Sequence, residues 1–139
     1  MKIDRNWTVL FIGGSSGTGK SSIAYEIARF YGVNVLEVDD VRLSVETVTT
    51  KESFPAIHTD VNWKYLGVDG NVNWLIDVSK EMIPVLKVLV NRHLEDKLPI
   101  IIEGDFIYPE FTISFDNLEV KSIFINEPDI NQIMQNYLS

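Results

Sequence analysis

Gly14-Ser15-Ser16-Gly17-Thr18-Gly19-Lys20-Ser21 is the stretch of sequence that decides the fold of this chain. It fits the spacing G-x-x-x-x-G-K-[ST]. Glycines at these positions let the backbone turn around an anion, so that successive N–H groups point inward. A helix that begins near Lys20 would add its positive amino end to the same site. The stretch therefore predicts a phosphate-binding loop that includes Ser22, with Lys20 reaching the outer phosphates and Ser21 binding Mg²⁺.

The sequence on either side of this loop has the expected context of a strand followed by a helix. Thr8-Val9-Leu10-Phe11-Ile12 is a wholly apolar run, which is typical of a strand buried on both faces. From Lys20 to Tyr31 the spacing becomes helical, with Ile23, Ile27 and Phe30 on one stripe beside Ala24 and Ala28. Gly32 supplies the stop signal.

The rest of the chain continues the alternation of strands and helices. Further strands are predicted at Val33 to Val38, Ile100 to Glu103 and Val120 to Ile125, and helices at Val41 to Val48, at Val72 to Leu94 with a kink or break at Pro84, and from Pro128 onward. The pattern does not place residues 49–70. Such an alternation predicts an α/β fold, a three-layer sandwich with a mostly parallel sheet. The carboxyl ends of its strands share one edge, where ligands bind, and this edge would collect the Gly14 loop, Asp39, Asp40, Glu103 and Asp105.

Composition restricts the possible partners of the chain. Its 139 residues suit a single domain over residues 1–139, and its formal charge of -8 disfavours nucleic acid and anionic membranes as partners. The absence of cysteine removes disulfides and thiolate chemistry. The amino terminus lacks an apolar run long enough for a signal peptide, and no stretch approaches the length of a membrane span, so we expect a cytoplasmic protein.

The loop, which is also the Walker A pattern, resembles that of the P-loop kinases, which include adenylate, shikimate, gluconate and polynucleotide kinases. That resemblance implies a parallel sheet of order 2-3-1-4, usually with a fifth strand, and ATP and Mg²⁺ as cofactors. Val38-Asp39-Asp40-Val41-Arg42 looks like the D-D-x-R segment that holds the acceptor in several of these kinases. Ile100-Ile101-Ile102-Glu103-Gly104-Asp105 looks like the acidic end of their Walker B-type strand. The sequence from Asn91-Arg92-His93-Leu94 through IIIEGDFIYPE to IFINEPD is similar to uncharacterised bacterial proteins labelled 2-phosphoglycerate kinase-like.

Six side chains outside the loop are candidates for catalysis, acceptor binding and metal binding. Asp39 is the expected general base, with capping of the following helix as its alternative role, and Asp40 is a second candidate for acceptor binding. Arg42 could hold an anionic group of the acceptor, or it could be solvated or paired with a nearby acid. Trp63 could exclude water from the site or pack in the core. Glu103 and Asp105 compete for the metal, and we assign the metal to Glu103 and the acceptor to Asp105.

These observations predict a kinase that transfers the γ-phosphoryl group of ATP to a small hydroxyl-bearing acceptor. The alternatives are a nucleotide-binding module with little transfer activity and a polynucleotide kinase, although the charge disfavours the latter. The helix from Pro128 is still running at Ser139, and there is no Arg or Lys after Lys121. We therefore expect the fifth strand and the arginine-bearing lid to be missing, as in a truncated or naturally shortened chain with low activity. A partner chain that supplies the arginine is the less favoured alternative.

Overall fold

The computed structural model describes residues 4–14, 19–59 and 63–126, with only the helical backbone described for residues 63–69 and 71. The elements of these ranges are β1 (Val9–Gly14), α1 (Lys20–Tyr31), β2 (Asn34–Glu37), α2 (Val38–Val48), α3 (Trp63–Glu95), β3 (Ile100–Glu103), α4 (Pro109–Thr112) and β4 (Val120–Ile125). The expected helix from Pro128 onward lies outside the described residues.

The strands form a parallel sheet in the order β2-β3-β1-β4, which confirms the predicted α/β class and strand order. In the register of the sheet, Val9 of β1 lies beside Ile100 of β3 and beside Val120 of β4. Glu37, the last residue of β2, lies beside Glu103, the last residue of β3. The carboxyl ends of β2 and β3 are therefore level with each other at one edge of the sheet.

Helices cover both faces of this sheet, because alternate residues of β1 and β3 belong to different cores. One cluster joins Val9, Phe11, Ile100 and Ile102 to the buried side chains of α3, which are Val78, Met82, Leu86 and Val90. A second cluster joins Leu10, Ile12 and Ile101 to Trp7, Ala24 and Ala28. Burial on both faces explains why these strands are uniformly apolar.

The buried face of α1 differs from the predicted stripe. Ala24 and Ala28 are buried, whereas Ile23 is 37% exposed and Phe30 is 61% exposed. The two alanines let the helix lie close to the sheet, because their side chains are short, and the larger residues beside them then reach the surface. The end of α1 is as predicted, since Gly32 takes the left-handed conformation with φ of 68° and its N–H donates to the Ala28 carbonyl.

The boundary between β2 and α2 also differs from the prediction. The predicted strand ran to Val38 and the helix began near Val41, but α2 starts at Val38 directly after β2. Val38 is fully buried. A buried valine fits the end of a strand and the start of a helix equally well, so the sequence pattern could not fix this boundary. Asp39 and Asp40 therefore lie in the first turn of α2, where carboxylates interact favourably with the positive end of the helix dipole.

Residues 49–59, part of the segment that the sequence pattern could not place, fold back onto α3, and residues 63–70 of that segment belong to α3 itself. Turns occupy residues 51–58, and the Glu81 carboxylate accepts the backbone N–H groups of Ala56 at 2.8 Å and Ile57 at 3.0 Å. The helix α3 begins at Trp63 and includes Pro84, so the proline does not divide it into two helices. No helix in the described ranges is both long and apolar enough to cross a membrane.

Candidate functional site

The predicted phosphate-binding loop joins β1 to α1 at the carboxyl edge of the sheet. Ser15, Ser16, Gly17 and Thr18 lie outside the described residues, while Gly14, Gly19, Lys20, Ser21 and Ser22 lie at the end of β1 and the start of α1. Gly14 has φ of 134°, and a Cβ there would overlap the Ile125 carbonyl oxygen. Gly19 also has a positive φ, 83°. The backbone at both ends of the loop thus requires glycine.

Lys20 is buried at the amino end of α1 and forms an ion pair with Asp105. The Lys20 side chain is 7% exposed and that of Asp105 is 22% exposed. Asp105 follows β3 by two residues, so this pair joins the end of β3 to the helix that starts after the loop. The predicted roles of Lys20 in phosphate binding and Asp105 in acceptor binding therefore refer to neighbouring groups in one site.

Ser21 and Glu103 form a second contact between the same two elements. The Ser21 hydroxyl donates to Glu103 Oε1 at 3.1 Å. Glu103 is 5% exposed, and its burial raises the pKa of its carboxyl, while the Ser21 hydrogen bond and the Lys20 charge lower that pKa. The carboxylates of Glu37 and Asp105 add to the upward shift. A buried carboxylate with raised pKa gains stability from a cation nearby.

The oxygen donors of this second contact suit Mg²⁺. Magnesium is held by one or two protein oxygens together with water and substrate phosphates. The Ser21 hydroxyl and the Glu103 carboxylate form such a set. No group of three or more His, Asp or Glu side chains is placed to hold a metal alone in the described part of the chain. The donor set therefore fits a metal ion that arrives with phosphate oxygens.

A cavity of about 940 Å³ lies beside this edge, and its lining includes Gly14, Asp39, Arg42 and Asp105. The Asp39 side chain is 56% exposed, and its Oδ1 lies 3.6 Å from Arg42 Nε. The Arg42 guanidinium lies 5.0 Å from the centre of the Phe106 ring. Arg42 Nε is buried and has no hydrogen-bond partner among the described residues. The structure thus brings Asp39 and Arg42 to the same cavity as the start of the loop.

The other two predicted acceptor residues, Asp40 and Trp63, are not among the residues that the structure shows lining the cavity. Asp40 is exposed on α2 and is not among the described residues that line the cavity. The side chain of Trp63 lies outside the described residues, so its role stays a prediction. Trp74 of α3 lines the cavity and donates from Nε1 to the Ala56 carbonyl at 3.1 Å.

Sequence reasoning missed the aromatic wall of this cavity. Trp74 meets Phe106 edge-on, with ring centres 5.4 Å apart at 88°, and Tyr108 and Phe124 also line the space. The signal for Phe106 and Tyr108 was their position directly after Asp105, in the loop that leaves the ligand-binding edge. Trp74 gave no such signal, because it lies within an apolar helical stripe.

Comparisons with known proteins show which proteins this chain is similar to. No family model matches the chain. A 2-phosphoglycerate kinase from Methanopyrus kandleri is 27% identical over 129 residues, which are 88% of this chain and 37% of that protein. A 2-phosphoglycerate kinase from Pyrococcus furiosus is 32% identical over 74% of this chain and 36% of its own length. A mevalonate-3-phosphate 5-kinase from Thermoplasma acidophilum is 26% identical over 91% of this chain and 66% of its own length.

A solved structure supports the fold independently. The crystal structure of TT1252 from Thermus thermophilus superposes with a TM-score of 0.53, at 17% identity, over 96% of this chain and 72% of that one. The strand order is that of the P-loop kinase fold, and the relatives belong to P-loop kinase-like families. Its homologues are the archaeal proteins named 2-phosphoglycerate kinase and mevalonate-3-phosphate 5-kinase. The chain spans a little over a third of the length of the 2-phosphoglycerate kinases it matches.

Proposed function

We propose that this chain binds ATP and Mg²⁺ at the loop and transfers the γ-phosphoryl group to the hydroxyl of a small acceptor. The observation that carries the proposal is the pair of contacts across the sheet edge, Lys20 with Asp105 and Ser21 with Glu103. They place the cation and the hydroxyl of the loop against the acidic end of β3. The names of the relatives support a phosphotransferase that acts on a hydroxyl group.

Each residue of the site has a defined role in this reaction. Asp39 accepts the proton of the acceptor hydroxyl as that oxygen forms a bond to the γ-phosphorus. The bond from the γ-phosphorus to the β,γ-bridging oxygen breaks, and that oxygen leaves on ADP. Lys20 stabilises negative charge on the β- and γ-phosphate oxygens. Ser21 and Glu103 would hold Mg²⁺, which would neutralise phosphate charge when bound.

Arg42 is the proposed anion contact on the acceptor side. Its guanidinium is oriented from two directions, by the Phe106 ring beneath it and by Asp39 at 3.6 Å. An arginine fixed in this way can donate to a carboxylate or phosphate with little further loss of rotamer freedom. Asp39 and Arg42 would then contact the hydroxyl and the anionic group of the same acceptor.

Nucleotide binding is tested with Lys20→Ala in a calorimetric titration with ATP and Mg²⁺. Loss of a charged hydrogen bond to phosphate should weaken binding by roughly 10- to 100-fold. Lys87→Ala is the matched control, because Lys87 is exposed on α3 outside the described lining of the cavity. Equal affinities for the Lys20→Ala and Lys87→Ala proteins would reject the phosphate-binding role.

Transfer is tested with Asp39→Asn in a phosphoryl-transfer screen over hydroxy acids, alcohols, nucleosides and DNA ends. Loss of a general base should lower turnover about 10²- to 10⁴-fold while nucleotide affinity is retained. Asp116→Asn is the control, since Asp116 is exposed and precedes β4 at the opposite edge of the sheet. Nucleotide binding without transfer to any compound would favour the binding-module alternative, and transfer to DNA ends alone would favour the polynucleotide kinase.

A further inference from the structure

The cavity beside the loop is built largely from apolar and aromatic side chains. Trp74 of α3, Phe106 and Tyr108 after β3, and Phe124 of β4 all contribute to its lining. Phe124 is 39% exposed, so part of its ring is available for contact. A volume of about 940 Å³ is at the upper end of the range for small-molecule sites. The space can therefore hold a ligand with a bulky apolar part.

The charges around the cavity favour an acceptor of low negative charge. Among the lining residues that the structure describes, Arg42 is the cation, and the same lining contains the acidic residues Asp39, Asp105 and Glu110. Lys20 adds one positive charge nearby, but it is paired with Asp105. One guanidinium can hold one anionic group, and the neighbouring carboxylates repel further negative charge.

The aromatic wall and Arg42 are parts of one packed unit. The Arg42 guanidinium lies over the Phe106 ring, and Phe106 packs edge-on against Trp74. Trp74 is held in turn by its hydrogen bond to the Ala56 carbonyl. A ligand whose anionic group binds Arg42 thus has a fixed indole ring next to the rest of its body.

We propose that the acceptor is a hydroxyl compound with one anionic group and an apolar, preferably aromatic, body, in preference to a compact polyanion such as 2-phosphoglycerate. The anionic group binds Arg42, the hydroxyl faces Asp39, and the body packs against Trp74 and Tyr108. This inference rests on the proposed function, because it takes the cavity beside the loop as the acceptor site.

The test measures ligand binding to the 139-residue chain by ligand-observed NMR titration in the presence of MgADP. The probes are 3-phenyllactate, lactate and 2-phosphoglycerate, which share a carboxylate but differ in apolar body and total charge. We expect 3-phenyllactate to bind about tenfold or more tightly than either of the others, since an aromatic contact with burial contributes at least this factor. Equal or tighter binding of 2-phosphoglycerate, or of lactate, would overturn the inference.

Substitutions show whether the wall is responsible. In the Trp74→Ala protein, the affinity for 3-phenyllactate should fall to within about threefold of the affinity for lactate. Tyr108→Ala is a second test, because it leaves the Trp74–Ala56 hydrogen bond in place. Phe30→Ala is the matched control, because Phe30 is an exposed aromatic on α1 outside the cavity. Unchanged selectivity in both wall variants would refute the assignment. Selective binding without phosphoryl transfer would reject only the kinase function, whereas transfer with 2-phosphoglycerate as the preferred acceptor would reject only this inference.

Discussion

Adding one methyl group at Gly104 should disturb the fold and the site together. Gly104 lies between Glu103 and Asp105, and its N–H donates to the Ile12 carbonyl at 3.1 Å. An added Cβ would lie 2.7 Å from Val38 Cβ and 3.3 Å from Val38 Cγ2. Carbon atoms prefer separations of about 3.5–4.0 Å, so the two backbones would have to separate by about 1 Å. Val38 is fully buried at the start of α2 and cannot turn aside.

Overpacking of this kind costs about 1–3 kcal/mol, which is the loss expected for Gly104→Ala in urea denaturation. Gly13→Ala is the matched comparison, because a Cβ there would overlap the Phe124 ring, which is 39% exposed and can rotate. We expect Gly13→Ala to cost less than about 1 kcal/mol. Gly104→Ala should also weaken binding of ATP with Mg²⁺, since it moves both acidic groups of β3. Equal stability of the two variants would refute this account of the packing.

Three further predictions concern stability. Burial raises the pKa of Glu103, so the stability that this residue contributes is fully present below about pH 4.5 and is lost as pH rises through its folded pKa. We therefore expect the Glu103→Gln protein to be more stable than the parent at neutral pH. Parallel curves of stability against pH from 4 to 8 for the two proteins would contradict this prediction. Glu81→Ala removes the acceptor of two backbone N–H groups, so we expect a loss of about 2–4 kcal/mol and faster amide exchange at Ala56 and Ile57; unchanged exchange would argue against the contact. Pro84→Ala should raise stability by about 1–3 kcal/mol because it restores a helical hydrogen-bond donor, and a lower melting temperature would be the opposite result.

The strand order could be predicted because a strongly specific motif identified the class of fold. The loop pattern marked β1, the apolar run at Ile100 to Glu103 marked β3, and the mainly apolar stretch Val120 to Ile125 marked β4, with the bounds of β3 and β4 as the structure has them. Burial on both faces leaves no polar alternation in β3, whereas β4 is only partly buried and carries Lys121 and Ser122. The same reasoning placed the carboxyl strand ends, and hence Asp39, Glu103 and Asp105, at one edge.

The residues that line the cavity could not be predicted, because they depend on how α3 packs against the rest of the chain. Trp63 and Trp74 are both tryptophans near the region of the acceptor, and spacing alone does not show which one reaches it. Trp74 is directed by contacts that are distant in sequence, with Ala56 in the preceding turns and Phe106 after β3. Contacts of this kind depend on the packed structure and leave no periodic signal in the sequence.

The different partners of Glu103 and Asp105 could also not be predicted from the sequence. Both residues end the same strand, so strand-end reasoning leaves them equivalent. Their partners, Lys20 and Ser21, are consecutive in α1 and therefore point about 100° apart around the helix axis. Gly104 lets the chain bring one carboxylate to each partner. If the proposed function holds, Asp105 would compete with phosphate oxygens for the Lys20 ammonium, while Glu103 would remain beside the hydroxyl proposed to hold the metal. The protein has a net charge of -8. A nucleotide whose phosphates carry a divalent cation therefore meets less repulsion at this edge than a nucleotide without the cation, because the cation offsets the charge of the nearby carboxylates.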